Sequence, residues 1–163
     1  GGQILLEMLS QRGNLCSFAL VESAAVIPSR MTNALIAPFF GSSYSLIRNR
    51  RFARMQFQSL HIKPDLFDDY YRDTCQIKKR DMIAFLKANT SYKLKDTIRK
   101  SSAKIHICYG ERETGEIRKS AEAICREIPS CKLHSLKGLY HGEFSMNHAD
   151  RHADAIRQII HEG

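Results

Sequence analysis

Two short apolar segments, each followed by a glycine and then a reactive side chain three positions later, constrain this chain more than any other feature. After Lys104–Tyr109 the glycine is Gly110 and the reactive side chain is Glu113. After Lys132–Leu136 come Gly138 and His141, in the sequence Gly-Leu-Tyr-His-Gly. Glycine permits tight turns and close approach that a Cβ would block. The pattern predicts two strands, each followed by a glycine-containing loop that carries a reactive side chain, and it holds the ring of His141 where it can face a neighbouring strand end.

The segments around these strands predict an α/β fold. A helix over Gly115–Ile128 joins them, and a second helix, Ala149–His161, follows them. Near the start, Gln3–Gln11 has apolar residues at helical spacing, and Leu15–Leu20 is apolar with little alternation, as in a parallel strand covered on both faces. Strands alternating with helices imply parallel pairing through right-handed crossovers. We therefore expect a short parallel sheet of about three strands, flanked by helices.

The stretch between the first and second strands is predicted to be helical and to contain no strand. Its apolar residues recur at helical spacing, and we predict separate first and second helices because Pro38 and Gly41 lie between them. The predicted helices span 29–37, 44–57, 64–71 and 81–88. The chain is accordingly expected to divide into residues 1–28, 29–97 and 98–163.

The order strand, Gly-x-x-acid, helix, strand, Gly-x-x-His-Gly resembles the last third of an α/β-hydrolase. That family carries a Ser…Asp/Glu…His triad in this chain order. The resemblance implies that His141 is the general base and then the general acid, and that Glu113 orients it. Glu111 and Glu22, which ends the first strand, remain alternative positions for the acid.

The first residues extend the resemblance. Gly1 and Gly2 followed at once by a helix resemble the end of the nucleophile elbow, G-x-S-x-G, although a cloning remnant is an alternative. The resemblance then implies a chain cut just after the serine, inactive alone, whose intact protein hydrolyses a small-molecule ester or amide. It also implies that Lys104–Tyr109 is the central strand and that residues 29–97 form a lid over the substrate pocket. The unpaired edge of the first strand would favour a homo-oligomer.

The net charge of +8 favours no particular partner. Basic clusters at 48–54 and 78–80 have four aspartates between them, which fits solvated helix faces rather than a nucleic-acid site. The alternative function is a non-catalytic interaction module, or truncated paralogue, that binds a partner through this basic helical region. No apolar run is long enough to span a membrane, so no membrane partner is expected.

The remaining candidate chemistry points to no cofactor and no metal. His148 and His152 have the i, i+4 spacing of metal ligands, and His141 is near them in sequence, but no cysteine cluster supports such a site. The five cysteines lack a C-x-x-C pair and are predicted to be reduced thiols of a cytoplasmic protein. Cys108, a rival nucleophile, lies within an apolar run and is expected in the core.

Overall fold

The computed structural model describes residues 1–161; residues 162–163, the end of the predicted C-terminal segment, lie outside the described residues. Three parallel strands form one sheet in the order β1-β2-β3: β1 (Phe18–Glu22), β2 (Lys104–Gly110) and β3 (Lys132–Leu136). The predicted parallel sheet and its central strand are confirmed. Self-association through the edge of β1 stays a prediction.

The boundaries of β1 differ from the prediction. The apolar run begins at Leu15, but pairing begins at Phe18, opposite Lys104, and continues to Glu22, opposite Cys108. The first three residues of the apolar run, 15–17, therefore precede the point where β2 supplies a pairing partner. At its other end β1 continues two residues beyond the predicted Leu20, to Glu22. β3 has the predicted limits.

Eight α-helices lie within residues 1–161. They are α1 (Gly2–Gln11), α2 (Arg30–Ser43), α3 (Arg50–Gln58), α4 (Phe67–Gln76), α5 (Lys79–Ser91), α6 (Gly115–Glu127), α7 (Glu143–Asn147) and α8 (Ala149–His161). Short 3-10 turns cover Tyr44–Arg48, Pro64–Leu66 and Asp96–Lys100.

The chain forms two compact units, and the first carries the sheet. Unit 1 comprises Gly1–Ile27 and the chain from Tyr92 onward. Its core joins apolar side chains of α1 and α6 to alternate residues of β1 and β2. The most deeply buried of these are Leu6, Leu9, Val21, Ile105, Ile107 and Ile124, and Ile98 of the 3-10 turn joins them. Burial of this apolar surface is the main term that stabilises the sheet.

Unit 2, Pro28–Ser91, is helical and has a core of its own, Ala53, Phe57 and Phe67. In it α2 packs against α5, and the Asn33 side-chain amide donates to the carbonyl of Lys87. The predicted break near Pro38 and Gly41 is wrong, because α2 runs through both residues. A proline inside a helix removes one hydrogen bond, yet α2 continues through Pro38 while it packs against α5.

Two cysteines depart from the expectation of five reduced thiols. Cys125, near the end of α6, and Cys131, just before β3, form a disulfide with their Cα atoms 5.1 Å apart. A separation of six residues matches no recognised motif, but the turn at Pro129 brings the two side chains together. Cys16, Cys75 and Cys108 are free thiols. Among residues 1–161, no helix has the length and apolar character needed to cross a membrane.

Candidate active site

His141 and Glu113 meet at the C-terminal edge of the sheet. Glu113 lies in the loop after β2 and His141 in the loop after β3, and the Nδ1 of His141 lies 2.7 Å from Oε2 of Glu113. The Glu113 side chain is 1% exposed, whereas that of His141 is 66% exposed. A buried carboxylate that accepts the Nδ1 proton leaves Nε2 of the imidazole directed elsewhere, as in a catalytic base.

Gly110 is required where these two loops meet. A Cβ at this position would lie 2.2 Å from the carbonyl oxygen of Leu139, in the loop that carries His141. The Gly110 N–H also donates to Oε1 of Glu113 at 2.7 Å. On the other side of His141, Gly142 has φ +69°, a conformation that glycine adopts without strain. The first glycine of the sequence pattern thus allows a close contact between the loops.

Ser23 is a site residue that sequence reasoning missed. It follows β1 directly, and its hydroxyl donates to Oε1 of Glu113 at 2.6 Å. Its backbone N–H donates to the carbonyl of Cys108, and its φ of +54° is uncommon for a residue with a side chain. Such backbone strain concentrates at functional sites. The only sequence signal is its place at a strand end, directly after Glu22.

The two alternative acids have other partners. Glu22 accepts the backbone N–H groups of Phe144 (3.1 Å) and Ser145 (3.2 Å), and so caps the start of α7. Glu111 accepts the N–H of Gly138 at 3.2 Å. Both carboxylates therefore support the loop around His141, while Glu113 bonds to the imidazole itself.

The contact between Glu113 and His141 shifts both pKa values toward the charged forms of the two side chains. Burial raises the pKa of Glu113, but the hydrogen bonds from His141, Ser23 and Gly110 outweigh it, so the pKa lies below its ordinary value. The hydrogen bond to Glu113 raises the pKa of His141 against the opposing effect of desolvation. An ionised carboxylate that favours the imidazolium is the state a general base needs after it accepts a proton.

A cavity of about 470 Å³ adjoins His141 in unit 1. Its lining comes from the start of the chain, from β1 and the residue after it, and from the loop and helices that follow β3: Gly1, Gly2, Leu5, Leu20, Glu22, Ser23, His141, Gly142, Ser145 and His152. The first residues of the chain thus lie at the same site as the imidazole.

The weaker candidates are not assembled into a site. His148 lies 3.8 Å from Glu143, and the ring of His152 packs edge-on against Phe144. Within residues 1–161, no group of three or more His, Cys, Asp or Glu side chains is arranged to hold a metal. Cys108 is buried, and burial raises the pKa of its thiol to about 12. A thiol in that state supplies almost no nucleophilic thiolate.

Comparisons with known proteins identify the fold. No protein-family model matches the sequence, and no curated protein matches it significantly. Among solved structures, an esterase from Exiguobacterium antarcticum superposes with a TM-score of 0.74 at 17% identity, over 98% of this chain and 63% of that one. A 2-hydroxy-6-oxo-6-phenylhexa-2,4-dienoate hydrolase from Rhodococcus sp. strain RHA1 gives 0.74 at 10% identity, over 99% and 61%. A bromoperoxidase from Bacillus anthracis gives 0.73 at 14%, over 98% and 64%.

These likenesses establish a partial α/β-hydrolase fold, as the sequence pattern predicted. The chain spans less than two thirds of the length of each of these structures, although almost all of it is matched. At such low identities the likeness concerns the fold, and the chemistry has to be argued from the site.

Proposed function

We propose that this chain carries the acid and base of a serine hydrolase that cleaves esters or amides through an acyl-enzyme. The observation that supports this most directly is the 2.7 Å contact between His141 Nδ1 and the buried carboxylate of Glu113. In this role Nε2 of His141 takes the proton of the nucleophile and later donates it to the leaving group. Glu113 holds the tautomer and stabilises the imidazolium, while Ser23 and Gly110 hold Glu113.

The nucleophile is proposed to come from sequence before Gly1. The 163 residues contain no G-x-S-x-G elbow. Gly1 and Gly2 line the cavity beside His141, which is where the end of such an elbow has to lie for the serine to reach the imidazole. The chain alone is therefore proposed to be inactive, and unit 2 to be the lid of the intact enzyme.

The coding sequence upstream of Gly1 tests this proposal. We expect the reading frame to continue upstream and to encode G-x-S-x immediately before Gly1. The purified product of the complete frame should hydrolyse a short-chain p-nitrophenyl ester, and a fluorophosphonate probe should label its serine. The present chain should do neither.

Variants of the complete product assign the roles. His141→Ala should lower kcat by three or more orders of magnitude, about what loss of a triad histidine costs. His148→Ala is the matched control, because His148 has no contact with Glu113, and it should retain activity.

Two results would contradict the proposal. Robust turnover by the present chain that His141→Ala abolishes would place the nucleophile within these residues, at Cys108 or Ser145. An upstream frame without a serine elbow, together with an inactive complete product, would instead favour a non-catalytic module that binds a partner through its basic helices.

A further inference from the structure

The disulfide between Cys125 and Cys131 closes the corner at which α6 leads into β3. The end of α6 is firmly held, because Ile124 and Ile128 are almost completely buried. Cys131 is the residue directly before β3, so the bond fastens the start of this strand to the core helix. The disulfide therefore joins a well-packed element to the strand that leads to His141.

Strand β3 itself buries little surface. The sheet order places it at one edge, where residues 132–135 are exposed and Leu136 is partly buried. It is held by its pairing with β2 and by the 3.0 Å contact between Nδ1 of His106 and Nε2 of His134. Elements with few buried apolar contacts open locally at a low cost in free energy. A covalent bond at the start of β3 therefore opposes an opening that side-chain packing resists only weakly.

We propose that this disulfide is a redox-sensitive latch that controls how often β3 and the loop after it, residues 137–142, open. In the disulfide form the start of β3 stays on α6, and the loop keeps His141 against Glu113. In the dithiol form the strand is released more often, and the contact between the imidazole and the carboxylate is broken with it. The regulatory role rests on the proposed function, in which His141 is the base.

The latch opens by thiol–disulfide exchange with a low-molecular-weight thiol such as glutathione. The thiolate of one molecule attacks a sulfur of the protein to form a mixed disulfide, and a second molecule then displaces the protein sulfur. Cys125 and Cys131 end as two thiols, and the two small thiols leave as their own disulfide, so the protein gains two electrons and two protons. Both cysteines are partly exposed, and Pro129 and Ser130 between them are exposed, so a small reductant can reach the bond.

Cysteine labelling tests the bond itself. Iodoacetamide added in denaturant to the oxidised chain should label three of the five cysteines, Cys16, Cys75 and Cys108, and all five after reduction. Reduced glutathione should convert the folded chain to the five-thiol form, and oxidised glutathione should reverse the change. Five labelled cysteines at the start, or a bond that is reduced only after the chain unfolds, would overturn the proposal.

Amide hydrogen exchange, measured by NMR on the oxidised and reduced chain, tests the opening. The β3 amides that pair with β2 should exchange about tenfold faster or more after reduction, and so should the amides of Gly138 and Tyr140, which donate to carboxylates beside the loop. The amide of Ser23, which bonds to the carbonyl of Cys108 and so joins β1 to β2, should change much less. An equal increase at Ser23 would indicate a general loss of stability and would contradict the latch.

Substitutions assign the effect to this bond. The double variant Cys125→Ser, Cys131→Ser should exchange like the reduced parent in both buffers; if it does not fold, the two forms of the parent decide. The matched control, Cys75→Ser, removes a free thiol of unit 2 and should respond to reduction as the parent does.

The exchange rates separate this proposal from the proposed function. Faster exchange in β3 with unchanged rates at Gly138 and Tyr140 would show that the disulfide has no effect on the site, and the proposal would be wrong. None of these measurements needs catalysis. The latch can therefore fail while the hydrolase function stands, and a failure of that function leaves the measured opening intact.

Discussion

Replacing Gly110 by alanine tests how closely the acid and histidine loops depend on each other. The added Cβ would lie 2.2 Å from the carbonyl oxygen of Leu139, 2.7 Å from its carbonyl carbon and 3.0 Å from the carbonyl oxygen of Tyr140. All three are backbone atoms, so no side chain can rotate away. Ordinary contact begins near 3.4 Å, so the loop has to move by roughly 1.2 Å, at a cost of about 1–3 kcal/mol for an overpacked site.

The displaced loop is the one that carries His141. We expect Gly110→Ala to lower Tm. In a chain of this size, each kcal/mol lost from the free energy of unfolding lowers Tm by about 2–4 °C. The contact between His141 and Glu113 should lengthen, and the pKa of His141 should fall toward its ordinary value, because that hydrogen bond is what raises it. Thermal denaturation measures the first effect, and an NMR titration of the imidazole measures the second.

Gly115→Ala provides the control. Gly115 is the first residue of α6, and a Cβ there meets no heavy atom within 4 Å. A glycine-to-alanine change at a compatible helical position stabilises a protein by up to about 1 kcal/mol, chiefly through the unfolded chain. If Gly110→Ala kept both the parent Tm and the parent pKa of His141, the close approach of the two loops would not be a structural requirement.

Two further predictions concern the same pair. Glu113→Gln should lower the pKa of His141 more than Glu22→Gln does, because Glu113 bonds to the imidazole and Glu22 acts on it only through its charge. Glu111→Gln should leave this pKa unchanged. NMR titration of the three variants checks this order, and a larger effect of Glu22→Gln would move the acid to β1. Since the folded pKa of His141 is raised, the pair stabilises the fold fully below the ordinary imidazole pKa of about 6.5, and loses this contribution as pH rises through the higher folded value. The parent should therefore have a higher free energy of unfolding than His141→Gln, and the gap between the two proteins should be larger at pH about 6 than at pH about 9. For so exposed a histidine, the change in this gap should be less than about 1 kcal/mol. Urea denaturation measures this difference, and a gap that does not vary with pH would contradict it.

The sequence predicted those parts of the site that depend on local spacing. Gly110 and Glu113 lie three residues apart, as do Gly138 and His141, and a parallel sheet places the ends of neighbouring strands at one edge. These facts carried the resemblance to an α/β-hydrolase, and that resemblance implied that the imidazole and the carboxylate lie together. The same spacing favoured Glu113 over Glu111, and Glu113 is the one that bonds to the imidazole in the structure.

The parts that escaped prediction depend on contacts distant in sequence. Ser23 reaches Glu113 across 90 residues, and Glu22 reaches Phe144 across 122. No local pattern specifies either contact, since both arise only after β1 has paired with β2. The left-handed backbone of Ser23 is equally a result of its surroundings, because a serine has no intrinsic preference for that conformation.

The insertion of unit 2 between β1 and β2 affects how the sheet assembles. Paired residues of β1 and β2, such as Phe18 and Lys104, are 86 positions apart, whereas His106 and Lys132 of β2 and β3 are 26 apart. Closing the longer loop costs about 1 kcal/mol more in chain entropy. Yet the two ends of unit 2 are joined within it, because the N–H of Ser29 donates to the carbonyl of Thr90 at 3.0 Å. Once unit 2 has folded, the connection between β1 and β2 is therefore effectively short. The two strands can then pair at the entropic cost of a small loop, as if the insertion were absent.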